Sequence, residues 1–105
     1  MSLDIETNRM ESQKEKTARE RRILAYAETI QRSALESSAQ IINQLVEERH
    51  RQGMTQQDIA DITGILPSNL ARLESGSRVP TLVVLQKYAG AVGMHIELKL
   101  CDGTE

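Results

Sequence analysis

Between Thr55 and Gly76 the chain reads TQQDIADITGILPSNLARLESG. Few folds accommodate this stretch. Its pattern predicts a helix from Gln56 to about Ile62, a turn through Thr63, Gly64 and Ile65, and a second helix from Pro67 to Ser75. Ala60 stands where the two helices cross closely, and a larger side chain there would push them apart. Gly64 stands where the corner needs a positive φ, which glycine adopts without strain. Ile59, Ile65, Leu70 and Leu73 stand where side chains close over a shared core. Two short helices at this spacing, with glycine at the corner, form the unit by which many small proteins set a helix into the DNA major groove.

Any core behind that corner must be aliphatic, because the chain has no Trp, no Phe and only two tyrosines, Tyr26 and Tyr88. That suits a small helical domain and argues against stacking of single-stranded bases. A length of 105 residues allows one domain and an extension. The single cysteine, Cys101, cannot form an internal disulfide, so nothing points to secretion. There is no apolar run of membrane length and no signal-peptide pattern, so the expectation is a cytoplasmic protein without a membrane partner. The net charge is -2, with 7 basic and 6 acidic residues over 1–34 and 5 of each over 38–92. A basic surface supplies most non-specific DNA affinity. A near-neutral domain of this kind is therefore expected to bind modestly per subunit, with dimerisation supplying the rest.

Residues 1–16 are polar apart from Leu3, Ile5 and Met10 and are expected to form a flexible arm. Residues 17–36 are expected to form a helical extension, with Ile23, Ala27, Ile30 and Ala34 on one stripe. That stripe either packs on the chain's own core or serves a partner or a dimer. Ser37 with Gln40 forms a capping-box pattern, which starts a new helix running to about Arg51 with Ile41, Ile42, Leu45 and Val46 inward. Gly53 fits the left-handed position after that helix, and Thr55 with Asp58 opens the next. A last helix, capped by Thr81, carries Leu82, Leu85, Tyr88, Ala89 and Val92 and ends at Gly93, closing a domain over 37–93. In residues 94–100, MHIELKL, Met94, Ile96, Leu98 and Leu100 alternate with His95, Glu97 and Lys99, which predicts a strand. A lone strand leaves backbone groups unpaired, so it is expected to pair with the same strand of a second copy or with a partner protein.

Residues 38–92, with GMTQQDIADITGI, NLARLESG and RVPTLVVLQKYAGAVG, resemble the phage-repressor-type helix-turn-helix domain, the Cro-like or XRE family. The resemblance implies an all-α, lambda-repressor-like bundle with the N-terminal helical extension and the one C-terminal strand added. It implies a partly buried structural ion pair between Arg49 and Glu74, for which arginine and a carboxylate are suited. It places Gln56 against a DNA phosphate and makes Thr55 a cap first and a phosphate contact second. The positions facing the groove map to Pro67, Ser68, Asn69 and Arg72, with Leu66 where the helix begins. Asn suits adenine and Arg suits guanine. Arg78, in the following loop, maps to a phosphate contact. Leu66 and Pro67 depart from the family's polar residues; Pro is tolerated at the first helical position but offers a base edge only shape or a methyl contact.

The leading expectation is a sequence-specific transcriptional regulator, a repressor, acting as a homodimer on double-stranded DNA with two-fold half-sites. The alternative is an antitoxin of the host-inhibition-of-growth type, which binds and neutralises a ribonuclease-type toxin protein and represses the shared operon. Catalysis has no support. His50 and His95 lie on different elements, no cysteine or carboxylate spacing matches them, and the glycines are isolated turn residues. No cofactor and no metal are expected.

Overall fold

The computed structural model describes residues 2–103, with side chains from Arg9 onward. Four helices follow one another: α1 (Ser2–Arg51), α2 (Gln56–Thr63), α3 (Pro67–Glu74) and α4 (Leu82–Ala91). The chain divides into two compact units, Met1–Ala34 and Leu35–Glu105.

The stretch 2–51 contains no Gly and no Pro, so nothing interrupts α1. Two expectations are corrected here. The polar segment before Thr17 is helical from Ser2 onward, and no helix starts at Ser37. Ser38 lies mid-helix and its hydroxyl donates to the Leu35 carbonyl at 3.1 Å, the local back-bonding by which serine is accommodated inside a helix. In the first unit Ile23, Leu24, Tyr26 and Ile30 are exposed.

The second unit holds the core. Ile42 and Leu45 of α1, Ile59 and Ala60 of α2, Leu70 of α3, Leu85, Tyr88 and Ala89 of α4, and Val92 form one buried cluster. Ile41, Val46, Met54, Ile65 and Leu73 pack partly buried against it. Leu82 is exposed because it occupies the first position of α4, ahead of the inward face that Leu85, Tyr88 and Ala89 share. α1 ends at Arg51, and as expected Gly53 follows in the left-handed conformation, its φ of 70° letting the Met54 N–H reach back to the Arg49 carbonyl.

The expected C-terminal strand is also corrected: among the described residues there is no strand. A strand needs a ladder, and among the described residues no second strand pairs with 94–100. One side-chain amide takes the place of a neighbouring strand instead. The Ile96 N–H donates to Gln86 Oε1 at 3.2 Å, and Gln86 Nε2 donates to the Ile96 carbonyl at 2.8 Å. Ile96 packs against the core, while Leu98 and Leu100 remain exposed.

Candidate nucleic-acid interface

The corner between α2 and α3 sets the direction of α3. Gly64 takes φ 76° and its N–H donates to the Ala60 carbonyl at 2.8 Å. Thr63 fastens both sides of the turn: its hydroxyl donates to the Ile59 carbonyl at 2.7 Å and accepts from the Ile65 N–H at 3.1 Å. At the start of α2, Thr55 and Asp58 close a reciprocal capping box, with bonds of 3.1 and 2.8 Å. At the start of α3, Leu66 supplies no side-chain cap and Pro67 fills the first turn, where its missing N–H costs nothing.

The far end of α3 is held by a buried polar network. Arg49 donates to both oxygens of Glu74, from Nη2 at 2.8 Å and from Nε at 3.0 Å. The same Nε–H reaches the Tyr88 hydroxyl at 3.1 Å, and Nη1 donates to the Met54 carbonyl at 2.9 Å. Tyr88 donates to Glu74 Oε2 at 2.7 Å, and Gln56 Nε2 donates to Oε1 at 3.0 Å. One carboxylate thus joins α1, the first residue of α2, the last of α3 and the middle of α4. Burial works against the charge on Glu74, but the hydrogen bonds from Arg49, Tyr88 and Gln56 outweigh it and hold the carboxyl below its ordinary range. Burial likewise opposes the Arg49 charge and is outweighed by Glu74 and Tyr88, so the guanidinium is held more firmly protonated. Burial and the neighbouring Glu74 push the Tyr88 phenol up. Sequence reasoning placed Arg49 and Glu74 but read Tyr88 only as part of an apolar stripe. The signal was available, since a buried tyrosine hydroxyl ordinarily finds a partner.

Held at both ends, α3 turns Leu70 fully inward and leaves Pro67, Ser68, Asn69 and Arg72 exposed. Among the described residues no protein hydrogen bond engages the Ser68, Asn69, Arg72 or Arg78 side chains. Asn69 and Arg72 share an open groove of about 260 Å³ with Arg78 of the next loop, with Thr81, which caps α4, and with Val84 of α4. Leu66 and Ile62 flank this face and are exposed, two apolar contacts beside the polar ones. Thr55 is exposed; its hydroxyl oxygen accepts the cap bond, which leaves the O–H free to donate. Gln56 is half-buried and spends one amide hydrogen on Glu74, which leaves it one N–H and its carbonyl.

A family model described as helix-turn-helix matches residues 45–99. The chain belongs to the helix-turn-helix family. The match covers the end of α1, the whole of α2, α3 and α4, and most of the segment after them. This helix-turn-helix protein is of the XRE type, a family of DNA-binding transcription regulators. No curated protein and no solved structure matched the chain. Among the described residues no helix is long and apolar enough to cross a membrane.

Proposed function

We propose that this protein is a sequence-specific repressor that acts as a homodimer on a two-fold operator. α3 is its reading helix: Ser68, Asn69 and Arg72 meet base edges, Asn69 suited to adenine and Arg72 to guanine. Pro67 with Leu66 contributes shape and methyl contacts. Thr55, Gln56 and Arg78 hold phosphates and set the register. The observation that carries this reading is the asymmetry of α3. Its inward side chain, Leu70, is fully buried, while its outward polar side chains are exposed and unbonded. The segment containing Met94, Ile96, Leu98 and Leu100 is the proposed dimer edge, supported by its exposed Leu98 and Leu100. Fluorescence anisotropy against DNA from the protein's own promoter tests the reading. Salt-sensitive binding with half-sites about one helical turn apart is expected. Absence of binding at low ionic strength, with the dimer intact, would sink it.

A second reading is favoured by one observation, the exposed Ile23, Leu24, Tyr26 and Ile30 of the first unit. An apolar stripe of this kind fits a protein partner, here a ribonuclease-type toxin that the chain would neutralise while repressing the shared operon. A neighbouring gene for a small basic ribonuclease-like protein, and its co-purification with this chain, is the expected result. Without such a neighbour the reading fails.

A further inference from the structure

Charge is divided unevenly along this chain. Residues 35–105 carry six cations (Arg49, Arg51, Arg72, Arg78, Lys87 and Lys99) against nine acidic residues. Two of the six, Arg49 and Arg51, are bonded to Glu74 and Glu48. The unit with the reading helix is therefore net negative, the wrong sign for holding a polyanion. The stretch 14–22, KEKTARERR, has five cations in nine residues against two acids. Lys14, Lys16, Arg19, Arg21 and Arg22 are all exposed on α1, and among the described residues none of them forms an ion pair.

We propose that the basic stretch Lys14–Arg22 of α1 is a second DNA contact, binding the phosphate backbone independently of sequence. Lys14 and Arg21, two helical turns apart, are the only charged residues lining one shallow trough with Met10, Gln13, Thr17 and Ala18. Arg22 lies one position on and lines an adjacent trough with Arg19, Ala18 and Glu15. Ala18 lines both troughs, and its small side chain leaves room between the two sets of cations for a phosphate backbone to approach. DNA is favoured over an anionic membrane because Ala18 is the only apolar residue in 14–22, and a surface-bound amphipathic helix needs an apolar face to insert. The larger exposed apolar residues lie outside the basic stretch, Met10 before it and Ile23, Leu24, Tyr26 and Ile30 after it.

The contact rests on the DNA-binding reading above, and its test separates the two. The full chain is titrated against a mixed-sequence duplex of about 40 base pairs, roughly four helical turns, at several salt concentrations. Each phosphate contact contributes about 0.9 to the slope of log affinity against log salt. The triple variant Lys14→Gln, Arg21→Gln, Arg22→Gln should lose about 2.7 of that slope, with unchanged helical circular dichroism. The variant Lys14→Arg, Arg21→Lys, Arg22→Lys should keep the slope, because phosphates read charge rather than side-chain shape. An unchanged slope in the triple Gln variant, with wild-type binding intact, overturns this contact alone. No wild-type binding at low salt overturns the DNA reading itself. Charge-dependent binding to phosphatidylserine vesicles, with no change in the DNA slope, would assign the stretch to membranes instead.

Discussion

Replacing Glu74 by Gln removes one oxygen and one charge from a site that accepts four hydrogen bonds. Whichever oxygen becomes the amide, two donors lose their acceptor: Arg49 Nη2 with Gln56 on one side, or Arg49 Nε with Tyr88 on the other. The new NH₂ also faces those donors. Arg49 is left charged and only 8% exposed. Breaking a buried ion pair by removing one partner costs about 3–5 kcal/mol. The remaining amide oxygen keeps half of the bonds, so about 3 kcal/mol at neutral pH is expected, or roughly 15 °C in melting temperature for a domain of this size. The pH dependence has a definite sign. The folded-state pKa of Glu74 lies below its ordinary 4.5, so its contribution is complete above 4.5 and is lost as pH falls through the lower folded value. The gap between wild type and Glu74→Gln should therefore close on acidification below about 4.5. Urea denaturation of both proteins, followed by circular dichroism at pH 7 and at a series of acid pH values, measures it. A difference under about 1 kcal/mol at pH 7, no larger than an ordinary surface hydrogen bond, would refute the claim that this network holds the reading helix. So would a gap that persists unchanged into acid.

Four further substitutions have definite outcomes. Gly64→Ala meets no atom within 4 Å of the new Cβ, so its cost should be the left-handed backbone alone, about 1 kcal/mol by denaturation; a neutral effect would mean the corner relaxes. Gln86→Ala should abolish hydrogen-exchange protection of the Ile96 amide while costing about 1 kcal/mol or less globally; persistent protection would show that another group holds the segment. Arg72→Ala should lose about 1–3 kcal/mol of discrimination at one base pair, whereas Arg78→Ala should weaken binding to all duplexes alike; equal effects in competition titrations would contradict the assigned roles.

The corner was legible because its requirements are local. A small residue at Ala60, a glycine at Gly64 and apolar residues at Ile59 and Leu70 admit one arrangement of two short helices. The ion pair became legible only through resemblance, since nothing in the spacing of Arg49 and Glu74 announces a contact across 25 positions. The Ser37 cap was misread because serine bonds its own backbone equally well inside a helix, where Ser38 does so. What decided the matter was the run of fifty residues without Gly or Pro. The alternation in 94–100 reports an extended chain but not a ladder, which depends on what lies alongside. Gln86, on α4, carries no pattern that would reveal its partner ten positions later.

That single amide also marks a register. In an extended chain the N–H and C=O of one residue point to one edge and those of its neighbours to the other. Both Ile96 groups turn toward Gln86; were the segment extended, the backbone groups of His95, Glu97 and Lys99 would face the opposite edge. An antiparallel copy adding along that edge must bond through these odd-numbered residues. Placing Glu97 opposite its own copy sets two carboxylates face to face, which is unfavourable for a cross-strand pair. Shifting the copy by two residues sets Glu97 opposite Lys99 twice over, whereas a one-residue slip would set Glu97 opposite Leu98, whose backbone groups face the other edge. A glutamine on the fourth helix thus selects, through geometry and charge, which alignments of two chains the tail would accept.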